Sequence, residues 1–140
     1  MAARTGVRRF VAVVVSWLAG ASLLAAAQQG PATTAYLNYR AAVARAATID
    51  DVRPLLAKEG LARLEGTPQA QRPMMLGLLK DLSAGVTNVR VVKETIVGDR
   101  ATLNVEATDA SSKAPARATV EMAREAGAWK FVRERWGGGY

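Results

Sequence analysis

The chain contains no cysteine and no histidine. The missing thiols exclude disulfides, thiolate nucleophiles and thiolate metal sites, together with the lipid-bearing cysteine that follows a bacterial lipoprotein signal. The missing imidazoles exclude the usual nucleophilic triads and histidine-ligated metal centres. No cofactor is expected from what remains. Aromatic residues are scarce at 6%, so each one is informative about the core. A small domain without cross-links must hold together by packing or by association.

What is present begins with an export pattern. Arg4, Arg8 and Arg9 precede an uncharged run from Phe10 to Ala27, which ends in Ala25-Ala26-Ala27 before the polar pair Gln28-Gln29. The run approaches membrane-spanning length, but Ser16 and Gly20 interrupt it and its end matches the small-residue pattern cut by a signal peptidase. Residues 1–27 are therefore read as a signal peptide and 28–140 as one domain with short flexible ends. The expected location is exported, either periplasmic or extracellular, with no stable membrane insertion after cleavage.

Nineteen basic residues lose three with the leader, leaving sixteen against twelve acidic residues and a net charge of +4. The arginines are scattered singly from Arg40 to Arg135, which fits a solvated surface and offers no dense stripe for tracking a phosphate backbone. Nucleic acid is not expected as a partner. The modest basic excess is compatible with an envelope protein or an anionic surface polymer.

Three helical segments are expected first. Thr33 or Thr34 is a candidate cap for a helix whose stripe runs through Tyr36, Leu37, Tyr39, Arg40, Val43, Ala44 and Ala47. Asp50-Asp51 opens a short second helix through Leu55 and Leu56, ended by Gly60. Thr67-Pro68 opens a third, in which Pro73 either kinks the helix or marks the start of its regular part near Arg72. Met74, Met75, Leu78, Leu79 and Leu82 form its expected core stripe, and Ser83-Ala84-Gly85 stops it.

The period changes at Val86. Residues 88–97 are rich in β-branched side chains, Gly98-Asp99 supplies a turn, and Ala101, Leu103, Val105 and Ala107 alternate with polar residues. A third strand follows over 116–124 with Ala118, Val120 and Met122 on one face. Glu125-Ala126-Gly127 turns into a fourth, over 129–136. Strict alternation there places Trp129 and Phe131 on one face, and Val132 and Trp136 on the other, where they need cover. Glu106 and Glu121 fall on the polar side and are expected to pair across strands with Arg117 or Arg124.

In this order the chain resembles the NTF2-like superfamily, and within it the exported DUF4878-like domains of unknown function. The stretches that carry the resemblance are Thr34-Ala35-Tyr36-Leu37, Val97-Gly98-Asp99-Arg100-Ala101-Thr102-Leu103, and residues 120–131 from Val120 to Phe131. The resemblance implies an α+β cone, with three N-terminal helical segments followed by a curved four-stranded antiparallel sheet. Catalytic members of such a superfamily place a polar pair, often Asp and His, inside the cone, and this chain has no histidine to supply it.

The function expected is that of a non-catalytic exported binding or protein-interaction domain. The alternative is a weak cone-pocket isomerase or hydrolase using carboxylate and tyrosine groups. Tyr36, Tyr39, Met74, Leu78, Trp129 and Phe131 are the candidate lining of a cavity that would take a small apolar ligand, with at least one tyrosine hydroxyl at its rim. Val132 and Trp136 are the candidate surface of a homodimer.

Overall fold

The computed structural model describes residues 29–137. The expected signal peptide and the glycine-rich tail beyond Gly137 lie outside the described residues. Helix α1 spans Pro31–Arg45, α2 spans Lys58–Glu65 and α3 spans Arg72–Ala84. Strands β1 (Val86–Val97), β2 (Arg100–Asp109), β3 (Pro115–Glu125) and β4 (Ala128–Trp136) form one antiparallel sheet in the order β1-β2-β3-β4. No helix among the described residues is long and apolar enough to cross a membrane.

The alternation expected of β2 and β3 is present. Ala101, Leu103, Val105, Ala118, Val120 and Met122 are buried on one face and share a core with Tyr36, Tyr39 and Val43 of α1. The helices therefore cover that face of the sheet. Gly98 takes a positive φ of 59° at the first turn position of the β1–β2 hairpin, a conformation that glycine adopts without a Cβ clash. The second residue of that turn, Asp99, is clamped to β3 by Arg124.

The helical half departs from expectation in several places. Helix α1 begins at Pro31 and has no side-chain cap from Thr33 or Thr34; Thr33 is buried and bonds to β1 instead. Ala44 is exposed and Ala47 lies past the helix end. Asp50 and Asp51 belong to the 3₁₀ turn Ile49–Asp51, and a second 3₁₀ turn covers Arg53–Leu55 around Pro54. A proline and two adjacent aspartates favour such tight local turns over a continuous helix. Gly60 does not end a helix but sits inside α2. Pro73 marks the regular start of α3 at Arg72, after a 3₁₀ turn over Gln69–Gln71.

The apolar surface of α3 is wider than the groove it meets. Leu76 is buried and Met75 and Leu79 pack against the core, while Met74, Leu78 and Leu82 point outward at 71%, 59% and 52% exposure. The three exposed residues follow one another at four-residue steps on the flank turned away from α1.

Candidate functional site

The polar groups facing the core are placed by irregularities in the edge strands. In β4, Met122 pairs with Phe131 and Glu121 with Arg133, so Val132 is an extra residue opposite no partner. A single-residue bulge shifts the alternation by one position. Phe131, before it, and Glu134 and Trp136, after it, therefore face the same side. In β1, Val91 pairs with Val105 and Lys93 with Asn104, leaving Val92 as the extra residue. This second bulge turns Glu94 toward the helices, opposite Leu103.

Both inward glutamates hold α1. Glu94 Oε1 accepts the Thr33 amide at 2.6 Å and the Thr33 hydroxyl at 3.0 Å. A helix N-terminus leaves free N–H groups and carries a partial positive charge, so this carboxylate replaces the side-chain cap that Gly30 lacks. A Cβ on Gly30 would fall 1.6 Å from Glu94 Oε2, so glycine is what lets the carboxylate approach. Helix α2 is treated in the same way: Glu125 accepts the Lys58 amide at its first turn.

Glu134 lies at the centre of the second contact. The Tyr36 hydroxyl donates to Glu134 Oε2 at 2.8 Å, and Arg40 Nη1 lies 3.6 Å from the same oxygen. Arg40 also donates to the Ser83 carbonyl at 2.9 Å and sits over the rings of Tyr36 and Trp136. The Arg40 and Glu134 side chains are only 11% and 18% exposed. Burial, and then the negative charge of Glu134, raises the Tyr36 phenol well above its ordinary range, which keeps the hydroxyl a neutral donor. Burial raises Tyr39 in the same way.

Among the candidate lining residues, Tyr36, Tyr39, Trp129 and Phe131 do come together. Tyr36, Tyr39 and Phe131 are buried in the main core, and Trp129 packs against it. Tyr36 and Tyr39 are 0% and 4% exposed, so neither hydroxyl stands at a solvent rim. Tyr39 stacks on Phe131 with centroids 3.9 Å apart and planes 9° from parallel. Met74 and Leu78 are on the outside of α3 and do not join this group.

The candidate interface pair is separated too. Val132 is 1% exposed and is covered by Ala57 and Ala123 of its own chain, because the segment before α2 runs along β4 and donates the Ala57 amide to the Phe131 carbonyl. Arg63 donates to the next carbonyl, that of Val132. Trp136 packs against the main core beside Arg40. Its indole Nε1 is buried with no hydrogen-bond partner among the described residues. The expected carboxylate pairs are partly redistributed: Glu106 meets Arg117 and also Arg90, whereas Glu121 meets Arg133.

Sequence reasoning missed Glu134 because it applied strict alternation to β4, and it weighed Glu94 only beside Asp81, Glu106 and Glu121 as acids that could meet over a cone mouth, without assigning it a face of β1. The signal was present in the doubled apolar pairs Val91-Val92 and Phe131-Val132, each followed two residues later by glutamate. Among the described residues, no group of three acidic side chains is arranged to hold a metal ion.

Three helices laid on one face of a four-stranded antiparallel meander are the elements of the expected α+β class. No protein-family model and no curated protein matches the sequence. Among solved structures, the chain is similar to a candidate NTF2-like transpeptidase from Campylobacter jejuni, at 14% identity over 69% of this chain and 92% of that one, with a TM-score of 0.43. It is also similar to an NTF2-like protein of unknown function from Shewanella baltica, at 9% identity over 76% and 94% of the two chains, with a TM-score of 0.42. Both likenesses concern fold alone.

Proposed function

We propose that residues 28–140 form a non-catalytic, exported binding or protein-interaction domain of the DUF4878-like kind, which recognises its partner from outside rather than through its interior. The observation that carries this reading is the state of the inward acid. Glu134 is engaged by Tyr36 and Arg40, Tyr36 has no exposed surface, and the Tyr39–Phe131 stack fills the space beside them. A catalytic carboxylate needs access to substrate and a proton it can exchange. Here its hydrogen-bonding capacity serves to fasten α1 to β4.

The same contact is the specific observation behind the second reading, a carboxylate–tyrosine enzyme. Glu134 is an inward carboxyl within hydrogen-bond reach of a second polar group, as such an enzyme would require. Stability separates the two. Removing a residue that serves catalysis commonly stabilises a protein, whereas breaking a buried ion pair costs about 3–5 kcal/mol. Glu134→Gln, followed by urea denaturation, is expected to destabilise the chain by about 3 kcal/mol, at the lower end because the amide can still bond to Tyr36. A more stable variant would overturn the non-catalytic reading.

A further inference from the structure

On the face of the sheet turned away from the helices, an open cleft of about 520 Å³ lies where the start of β1 meets the β2–β3 hairpin. Asn88, Arg90, Glu106, Thr108, Lys113 and Arg117 line it. We propose that this cleft is a binding site for a phosphate-bearing ligand. The proposal deepens the reading of an outward-facing binding domain and rests on it.

Three observations converge on the cleft. The first is charge: three cations surround one carboxylate. Glu106 spreads its oxygens between the two arginines, with Arg90 Nη2 at 2.8 Å and Arg117 Nε at 4.0 Å. The hydrogen bond to Glu106 orients the Arg90 guanidinium, and among the lining residues three cations stand beside one carboxylate. A carboxylate ligand could be matched by one arginine fork, whereas a phosphate offers oxygens in several directions and carries one negative charge as a diester and close to two as a monoester.

The second observation is rigidity. The loop that presents Lys113 is organised by Asp109, whose Oδ1 accepts the amides and hydroxyls of both Ser111 and Ser112. The Lys113 amide returns to the Asp109 carbonyl at 3.0 Å. The third is backbone conformation. Asn88 and Lys113 have φ of 53° and 62°, and both border this one cleft. Asparagine enters the left-handed region easily, but lysine gains nothing there that glycine would not supply more cheaply. The register shift of β1 between Thr87 and Arg90 and the β2–β3 hairpin loop hold these two residues at the border of the cleft. The Lys113 ammonium donates to the Ala110 carbonyl of the same loop.

The test is an amide and arginine-Nε NMR titration of the whole protein with sodium pyrophosphate at low ionic strength. Saturable shifts centred on Asn88, Arg90, Lys113 and Arg117 are expected. Arg117→Gln and Lys113→Asn should each weaken binding on the order of tenfold, the worth of one charge-assisted hydrogen bond. Asparagine tolerates the left-handed turn, so the Lys113 variant keeps the loop.

A second arm sediments the protein with phosphatidylglycerol or phosphatidylcholine vesicles. Loss of phosphatidylglycerol binding in the same variants would identify a lipid headgroup as the source of the phosphate. Pyrophosphate binding without vesicle binding would identify a soluble phosphate. Shifts that fail to saturate and reach Lys93 and Arg135 equally, or variants with unchanged affinity, would overturn the site. Those failures leave the Glu134→Gln measurement standing. Conversely, a stabilised Glu134→Gln chain would remove the non-catalytic reading while the titration still reported on the cleft.

Discussion

At the scale of single residues, two glutamates decide how α1 sits on the sheet. Glu94 receives the first turn of the helix and Glu134 receives Tyr36 and Arg40 one and two turns later. The close fit of Gly30 against Glu94 makes a sharp prediction. Gly30→Ala would push the carboxylate away from Thr33, so it should cost about 1 kcal/mol, as loss of a helix cap does. Glu94→Gln should cost a similar amount. Because both changes remove the same contact, the double variant should be scarcely less stable than either single one, which a double-mutant cycle in urea will measure. Additive losses would show that Glu94 does not act as the cap. Tyr36 and Tyr39 were legible in the sequence as a helical stripe. The partner of Tyr36 was not, since it lies 98 residues away on a strand whose parity changes.

At the scale of elements, the sheet was the more readable half. β-branched residues, a Gly-Asp turn and clean alternation in β2 and β3 have local causes, and all of them appear in the structure. The bulges at Val92 and Val132 are also local, but their effect is carried to every later residue of the strand. Helix α3 shows the opposite failure. Its Met and Leu positions have helical spacing, yet which flank is covered depends on where α1 lies. The β3–β4 turn carries its own prediction. Ala126 and Gly127 both have positive φ, 49° and 77°, and Ala126 is exposed. A two-residue turn of this type prefers Asn-Gly, and a left-handed alanine costs about 1–2 kcal/mol. Ala126→Asn is therefore expected to stabilise the chain by about 1 kcal/mol, seen as a rise of several degrees in melting temperature. An unchanged or lowered melting temperature would refute the strain at this turn.

At the scale of the whole molecule, the interior is closed by aromatic residues whose hydroxyls are kept from water. The consequence for pH has a definite sign. Tyr36 and Tyr39 have phenol pKa values raised by burial, so both remain neutral in the folded state where an unfolded tyrosine would ionise. Stability is unaffected by them below about pH 10 and declines above it, by about 1.4 kcal/mol per pH unit for each tyrosine. Alkaline titration followed at 295 nm should therefore show these two phenols ionising only together with loss of the far-ultraviolet circular dichroism. Ionisation with the helix and sheet signals intact would mean that the interior is open to solvent. At this scale the sheet also loses Val132 and Trp136 as an exposed pairing surface, because the chain covers one with Ala57 and Ala123 and packs the other into its core.

The sequence alone determined the α+β class, the succession of the four strands after a helical half, the hairpin turns and the buried face of β2 and β3. Each follows from periodicity and turn chemistry within a few neighbouring residues. Only the tertiary structure decided which glutamates face inward, which flank of α3 is covered and where three cations surround one acid. Those outcomes depend on strand register and on contacts between residues far apart in the chain, and no local pattern contains the distance between them.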